Sequence, residues 1–303
     1  GNTNVTDVYM AEDMGAMVHA DGIKFYEDTA NGTNHVGFQS AATLGGDQVW
    51  TLPAADGSAN QVLKTDGSGT LSWVNNGEGG AIDDLSDGKS GGTDFADSMI
   101  LGHQTTGTLN AATKNTAVGY QAMDAITEGD HNTALGYGAL TSNTTGSSNI
   151  AIGEHAMEYS TTVNNNVAVG NNALKYTTGM DNTAIGTGAL YTNNEGQYNT
   201  ALGLNALKDN TTADFNTALG MQALQKNTTG VRNTAAGTYA LSYNTTGQYN
   251  TALGFQTGDV ITTGSNNTII GYQADPSANN ASNQIVIGKG ATGQGDNYAV
   301  IGN

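Results

Sequence analysis

Paired carboxylates are the residues of this chain that come nearest to a catalytic set. The sequence has 27 acidic residues, and retaining polysaccharide hydrolases use two carboxyl groups about 5 Å apart. Because the sequence repeats every 17 residues, acids at matching positions of adjacent repeats would lie about that far apart on neighbouring strands. Asp124 and Glu158 are instead two repeats apart, and Asp130, Asp181 and Asp214 are separated by three repeats and two. We therefore predict no catalytic residue and no enzyme. This comparison covers only acids at matching repeat positions within one chain, so acid pairs formed between different positions or between chains are not considered.

The histidines show no metal-binding pattern. None occurs in an HxH or HExxH sequence or shares a spacing with acids. The five are His19, His35, His103, His131 and His155. Calcium in turns rich in Asp and Asn, such as those at Asp56, Asp66 or Asp296, stays open as an alternative, but no complete calcium loop is present. We predict no other cofactor.

Tyrosines close to the repeat glycines could offer stacking platforms for sugars. More often such tyrosines cover the edge of a coil and form a hydrogen bond to a loop through the hydroxyl group, so we predict a structural role for them. Glycan contact along the repeats is the alternative. The tyrosines are Tyr120, Tyr137, Tyr198, Tyr239, Tyr249 and Tyr272.

Composition and charge argue against two classes of partner. The formal net charge is −18, with 27 acidic and 9 basic residues, so clustered Lys and Arg that neutralise phosphates are lacking and nucleic acid is not expected. No apolar run approaches the roughly 20 residues of a membrane helix, so membrane insertion is not expected. The chain has no cysteine and hence no disulfide. Its start at Gly1 leads us to expect a processed product or a fragment.

A 17-residue repeat organises the chain from residue 98 to the end. Its central glycine recurs every 17 residues, except for steps of 16 before Gly186 and 14 before Gly302. The glycines are Gly102, Gly119, Gly136, Gly153, Gly170, Gly186, Gly203, Gly220, Gly237, Gly254, Gly271, Gly288 and Gly302. Helical-hairpin repeats exceed about 30 residues, whereas one coil of a parallel β-solenoid fits. We predict about thirteen coils, each with two short strands that flank the glycine and a polar return loop such as NTTG.

Counted from the glycine as position 0, positions −1 and −3 share one face of the first strand. We predict that position −1, the aliphatic column, forms the solenoid core. The aliphatic column contains Val118, Leu135, Ile152, Val169, Ile185, Leu202, Leu219, Leu253, Ile270 and Ile287. The threonines at position −3, from Thr116 to Thr268, could suggest an ice-binding face, but their shared face with Leu and Ile favours packing.

Position −2, the alanine column, points to the opposite face of the strand. It carries no charge in twelve successive repeats, so we predict that it packs against identical neighbouring chains. The alanine column contains Ala117, Ala134, Ala151, Ala168, Ala184, Ala201, Ala218, Ala235, Ala252, Ile269 and Val286. A monomer with a second internal layer is the alternative.

Position −4, the asparagine column, holds Asn in ten successive repeats. Stacked amides can bond to one another along a solenoid and satisfy polar backbone at the turn, so we predict a structural ladder. The asparagine column contains Asn115, Asn132, Asn149, Asn166, Asn182, Asn199, Asn216, Asn233, Asn250 and Asn267.

The phrases NTALGYGAL, NTAIGTGAL and IVIGKGATGQGDNYAVIG resemble the head repeats of trimeric autotransporter adhesins of the YadA type. That resemblance implies a left-handed parallel β-roll, three chains side by side and an attachment role. The units with NTTG loops are more similar to repeats of bacteriophage tail-fibre and appendage proteins. The segment HVGFQSAATLGGDQVWTLPAADGSANQVLKTDGSGTLSWV, followed by AIDDLSDG, resembles shaft segments of marine phage fibres.

Three regions follow from these patterns. Residues 1–80 are predicted to form a β-rich N-terminal shaft of short strands separated by Gly, Asp and Asn turns. Residues 81–97 form a linker rich in Gly and Asp, and residues 98–303 form the β-roll. The predicted fold class is all-β, a left-handed parallel β-solenoid in a trimeric fibre.

The resemblance implies a homotrimeric tail or appendage fibre of a virion that contacts a glycan or protein receptor on a host surface. Fibres of this kind bind near their C-terminal end, so the coils after Gly271 are the candidate contact region. A bacterial surface adhesin or an extracellular filament subunit is the alternative. A polysaccharide-cleaving tailspike is the minor alternative. Each would place the protein on a virion or outside the cell.

Overall fold

A computed structural model describes residues 23–26, 35–38, 51–55, 57–59, 61–68, 70–75, 88–90, 99–101 and 111–302. The chain divides into two compact units, Gly1–Glu78 and Gly79–Asn303. All the regular structure in the described ranges is β, and they contain no helix.

The first unit contains two antiparallel hairpins. Strand β1 (Ile23–Tyr26) pairs with β2 (His35–Phe38), and β3 (Gln61–Thr65) pairs with β4 (Leu71–Asn75). In the second hairpin the Asp66 carboxylate accepts hydrogen bonds from the backbone N–H groups of Ser68 at 2.7 Å and Thr70 at 3.1 Å, which fixes the turn.

The second unit contains one sheet of fourteen strands in chain order. The strands are β5 (Gly88–Ser90), β6 (Met99–Leu101), β7 (Thr116–Val118), β8 (Thr133–Leu135), β9 (Ile150–Ile152), β10 (Val167–Val169), β11 (Thr183–Ile185), β12 (Thr200–Leu202), β13 (Thr217–Leu219), β14 (Thr234–Ala236), β15 (Thr251–Leu253), β16 (Thr268–Ile270), β17 (Ile285–Ile287) and β18 (Ala299–Ile301). Strand β5 lies within the predicted linker and pairs antiparallel with β6, whereas β6 to β18 are parallel. The parallel β-solenoid of 17-residue repeats is therefore confirmed.

The solenoid has about 11 turns. The glycine count of thirteen included the repeat at Gly102, whose residues 102–110 lie outside the described ranges, and the shortened last repeat. Equivalent residues of successive repeats are paired, for example Ala134 with Ala151. The 16-residue repeat leaves this register intact, since Val167 pairs with Thr183.

Each coil has one strand, and the predicted second strand after the glycine is wrong. The segment that follows the glycine contains left-handed residues at positions +2 and +4, as in Gln121 at φ 59° and Met123 at φ 54°. A strand requires negative φ, so this segment turns and still bonds to the next coil, with Met123 N–H donating to the Ala139 carbonyl at 3.0 Å.

The prediction of which strand face is inside is also wrong. The alanine column lies in the solenoid core, where Ala117, Ala168 and Ala201 are 0% exposed in the single chain, so it cannot be a surface between chains. The aliphatic column lies on the outer face, where Leu135 is 47% exposed and Leu253 is 51% exposed. The physical reason is the narrow cross-section of the coil: position +4 already fills it with one Leu or Met, which leaves room only for Ala across from it.

The asparagine column is buried and bonds from coil to coil. Asn132 N–H donates to Asn115 Oδ1 at 2.8 Å, and Asn132 Nδ2 donates to the Gly146 carbonyl of its own coil at 2.8 Å. Each amide therefore makes one hydrogen bond to the neighbouring coil and one within its own coil, so the buried polar side chain has protein partners and needs no water.

A second buried polar column, at position +7, comes from residues that the sequence suggested were return loop. Its members are Asn143, Ser160, Thr177, Asn193, Asn210, Asn227 and Asn244, with Ile126 and Ile261 at its ends. Asn227 Nδ2 donates to Asn210 Oδ1 at 3.0 Å. Its amides also bond to the carbonyl that the asparagine column uses, since Asn143 Nδ2 lies 2.9 Å from Gly146 O. The NTTG segment thus lines the interior of the coil together with the strand and the segment after the glycine.

Candidate interaction surface

The most extensive unusual surface is the outer face of strands β7 to β18. Position −1 is Val, Leu or Ile in eleven of these twelve strands and Ala236 in the other. Position −3 beside it is Thr, Ile, Val or Ala, and neither position carries a charge. We call these two positions together the outer strand face. Strands pair about 4.8 Å apart, so the face runs about 53 Å along the solenoid.

The threonines of position −3 lie on this outer face, and their predicted inward orientation is wrong. Thr116, Thr200, Thr234 and Thr251 are exposed. They point outward because they share a strand side with the aliphatic column. Ile150 and Val167 interrupt their row.

Position +1, just after the glycine, is mixed: most coils have an aromatic or aliphatic residue or Thr there, but Glu154, Asn171 and Lys289 are polar or charged. Tyr120, Leu204 and Tyr272 there are 52%, 45% and 49% exposed. Tyr120 and Tyr137 stack with ring centroids 5.8 Å apart, so one face of each ring is covered by its neighbour. That arrangement weakens the case for these tyrosines as sugar platforms, which need free ring faces.

A second aromatic row lies at position −5. Tyr198 stacks on Phe215 at 5.0 Å, and the Arg232 guanidinium follows at 5.3 Å from the Phe215 ring. Arg232 Nη1 also donates to the Tyr249 hydroxyl at 3.0 Å. The ring faces are again covered by neighbours, so this row stabilises adjacent coils.

A cluster of charged and aromatic side chains joins two coils around Glu158. The Glu158 Oε2 atom lies 2.9 Å from Lys175 Nζ and 3.0 Å from His155 Nδ1. Tyr159 and Tyr176 stack at 4.9 Å beside Lys175. The His155 ring thus lies against the Glu158 carboxylate.

Asp259 and Asp275 form a carboxylate pair that the repeat count missed, because the two acids occupy different positions, +5 and +4, of successive coils. Burial and the nearby charge of Asp259 raise the pKa of Asp275 to about 6, and burial raises the pKa of Asp259. Asp275 Oδ1 is buried without a hydrogen-bond partner among the described residues. Asp275 stands where most other coils have a buried Leu or Met, so the pair carries an electrostatic penalty at neutral pH.

The predicted calcium turns differ in what their carboxylates do. Backbone hydrogen bonds from Ser68 and Thr70 lower the pKa of Asp66, and Asp296 Oδ1 accepts a hydrogen bond from Ser282 N–H at 2.7 Å. Asp56 lies outside the described residues. Within the described ranges no three His, Asp or Glu side chains form a group that could hold a metal ion.

A groove of about 430 Å³ in the described part of the first unit is lined by Leu52, Pro53, Ala54, Ala55, Leu63 and Trp73. The indole Nε1 of Trp73 donates to the Ala55 carbonyl at 2.9 Å. This bond fixes the orientation of the indole ring.

No protein-family model, no curated protein and no solved structure matches this chain. No helix in the described part of the chain is long and apolar enough to cross a membrane.

Proposed function

We propose that this chain is a structural fibre protein that forms homotrimers and serves host-surface attachment as a tail or appendage fibre of a virion. In this role the solenoid sets reach and stiffness. A glycan or protein receptor is bound near one end, with the coils after Gly271 as the candidate contact region.

The observation that supports this proposal best is the unbroken register of the coils. Twelve strands from β7 to β18 pair residue for residue. The asparagine column bonds from coil to coil, and the second polar column does so between Thr177 and Asn244. In such a stack each unit contacts only its neighbours, so length is proportional to the number of coils. A length set by the number of coils suits a spacer.

The distribution of polar groups supports a mechanical role over hydrolysis. The buried asparagines are engaged in bonds within and between coils. Among the described residues, the carboxylate pair with raised pKa values is Asp259 and Asp275, and both side chains are half-buried.

Electron microscopy of the purified protein, combined with mass measurement in solution, tests the proposal. We expect discrete particles of three chains. Filaments of indefinite length would favour an extracellular filament subunit, and single chains at micromolar concentration would overturn the homotrimer.

Attachment itself is tested by glycan-array and cell-binding assays with the intact protein. Binding that is lost when Tyr272→Ala and Lys289→Ala are combined, with particle mass unchanged, would support contact through the coils after Gly271. Lys289 lies 6.0 Å from the Tyr272 ring, so the two changes remove one exposed patch. The matched control is Tyr120→Ala, at the same position of a distant coil.

A further inference from the structure

The large core residue changes sides of the coil in the C-terminal part of the solenoid. In the earlier described coils, position +4 is a buried Leu or Met, as at Leu241, and position −2 is Ala. Position +4 then becomes Gly258 and Asp275, while position −2 becomes Ile269 and Val286, which are both 0% exposed. The core volume therefore crosses from one wall of the coil to the other within two repeats.

Gly258 lies at this crossing and has no room for a side chain. A Cβ at Gly258 would lie 3.2 Å from Leu241 Cδ2 in the coil before it and 3.2 Å from Ile269 Cδ1 in the coil after it. The stack of buried Leu and Met at position +4 ends here, because the next residue in it is Asp275. We call the contact between the coil of Gly258 and the coil of Asp275 the joint.

One of the two buried polar columns does not cross the joint. The second polar column ends before it, since Asn244 Oδ1 is buried without a hydrogen-bond partner among the described residues and Ile261 follows at the same position. The asparagine column does cross, with Asn267 N–H donating to Asn250 Oδ1 at 3.1 Å. The interior of the joint thus has fewer side-chain bonds than the contacts between the preceding coils.

The acid pair lies at this joint. Asp259 is on one side and Asp275 is on the other, and Asp275 Oδ1 is buried without a hydrogen-bond partner among the described residues. Burial and then the charge of Asp259 raise the pKa of Asp275 to about 6, and backbone N–H groups of residues 258–260 offset part of this rise. Burial also raises the pKa of Asp259. When both carboxylates are ionised, they repel each other across the joint.

The other charged groups of this region are placed elsewhere. Residues 233–302 contain four charged side chains and no histidine, and the two outside the pair are Lys289 and Asp296. Lys289 lies 6.0 Å from the Tyr272 ring beside the repeat glycine. Asp296 Oδ1 accepts a hydrogen bond from Ser282 N–H at 2.7 Å. The acid pair is therefore the titratable group that the joint itself contains.

We propose that the joint is a pH-sensitive boundary, at which residues 268–302 open from the rest of the solenoid more readily when both acids are ionised than when Asp275 is protonated. The proton comes from solvent, and its binding removes the repulsion between the two carboxylates. The stability that Asp275 contributes is full below about pH 3.8 and is lost as the pH rises through about 6. This inference does not depend on the attachment role, although residues 268–302 include the candidate contact region.

Hydrogen exchange followed by mass spectrometry tests the joint. After correction for intrinsic exchange rates, peptides from residues 268–302 should have a protection factor about tenfold higher at pH 5 than at pH 7.5, as expected for a pKa raised from 3.8 to about 6. Asp275→Asn should raise the protection at pH 7.5 to the level of pH 5. Asp259→Asn removes only the neighbouring charge, so it should reduce the pH dependence without abolishing it.

The matched control is Asp296→Asn, which removes an acid of the same coils outside the joint and should keep the full pH dependence. Peptides from residues 119–141 should have the same protection in the native and Asp275→Asn proteins at pH 7.5, because each coil contacts only its neighbours. Equal protection of residues 268–302 at the two pH values would overturn the pH sensitivity. A gain in Asp275→Asn that is equally large in both sets of peptides would show one cooperative unit and overturn the joint.

Discussion

Asn210 donates from Nδ2 to Asn193 Oδ1 at 2.6 Å, so a side chain of one coil bonds directly to its equivalent in the previous coil. Both residues are 0% exposed, and Asn227 continues the chain of bonds at 3.0 Å. The bond always has the same direction, from the amide nitrogen of the later coil to the oxygen of the earlier one. Replacing one asparagine therefore removes a donor from the residue before it in the column and an acceptor from the residue after it.

Asn210→Ala should destabilise the solenoid by about 2–4 kcal/mol, because it leaves Asn193 Oδ1 without its donor and Asn227 Nδ2 without one acceptor in a buried site. Urea unfolding followed by circular dichroism measures the effect. Thr212→Ala, at an exposed residue of the same loop, should change stability by less than about 0.5 kcal/mol. Equal midpoints for the two variants would contradict a stabilising role for the column.

Ser160→Asn should stabilise the protein by about 1 kcal/mol, or roughly 2–4 °C in Tm. Ser160 Oγ and Asn143 Oδ1 are both buried without a hydrogen-bond partner among the described residues. Asn at position 160 would donate to Asn143 Oδ1 as Asn210 donates to Asn193. Scanning calorimetry should rank Ser160→Asn above Ser160→Ala, and the reverse order would contradict the geometry.

Gly136→Ala should cost about 2–5 kcal/mol, from backbone strain and a steric clash together. Gly136 has φ 130°, and a Cβ there would lie 2.8 Å from the backbone carbonyl of Gly153 in the next coil. Gly290→Ala is the control, because Gly290 has φ 63° with open space around it, and its cost should be about 1–2 kcal/mol. Similar Tm losses for the two variants would show that the clash is relieved.

Asp275→Asn should stabilise the protein at pH 7 and have little effect near pH 4. The pKa of Asp275 is raised from 3.8 to about 6 in the fold, first by burial and then by Asp259. The folded state therefore binds the proton more tightly than the unfolded state. The stability that this group contributes is full below about pH 3.8 and is lost as the pH rises through about 6.

The measurement is the Tm difference between Asp275→Asn and the native protein from pH 4 to pH 7. It should grow with pH, whichever direction the other carboxylates move both proteins. A difference that stays constant across this range would show that Asp275 titrates normally.

The repeat length, the parallel stack and its register could be predicted from the sequence, since glycines at a fixed spacing and a repeated strand pattern leave few alternatives. Which face of the strand is interior could not. The alternation of side chains along a strand places Ala201 and Leu202 on opposite faces, but it does not show how much space lies on each face. The usual preference for burying the larger residue predicted the wrong face as interior. The space is limited by buried residues such as Leu207 at position +4, which only the closed coil places in the same core as Ala201.

The second polar column and the acid pair were missed for related reasons. The NTTG segment that begins at Asn143 has the composition of a solvent-exposed loop. Only the closed shape of the coil turns the Asn143 amide inward. Asp259 and Asp275 differ in repeat position by one, so a search for equivalent residues passes over them. Left-handed backbone at Gln121 and Met123 gives no clear sequence signal either, because neither residue type requires positive φ.

The 16-residue repeat before Gly186 has a consequence for how such a chain changes over generations. This repeat is one residue shorter than the others, yet Val167 still pairs with Thr183. The stack therefore tolerates the deletion of a single residue outside the strand. A gain or loss of one whole repeat in the coding sequence would preserve every neighbour relationship and alter only the number of coils. Natural variants of this protein are therefore expected to differ in length by steps of about 4.8 Å, so that reach can evolve separately from stability.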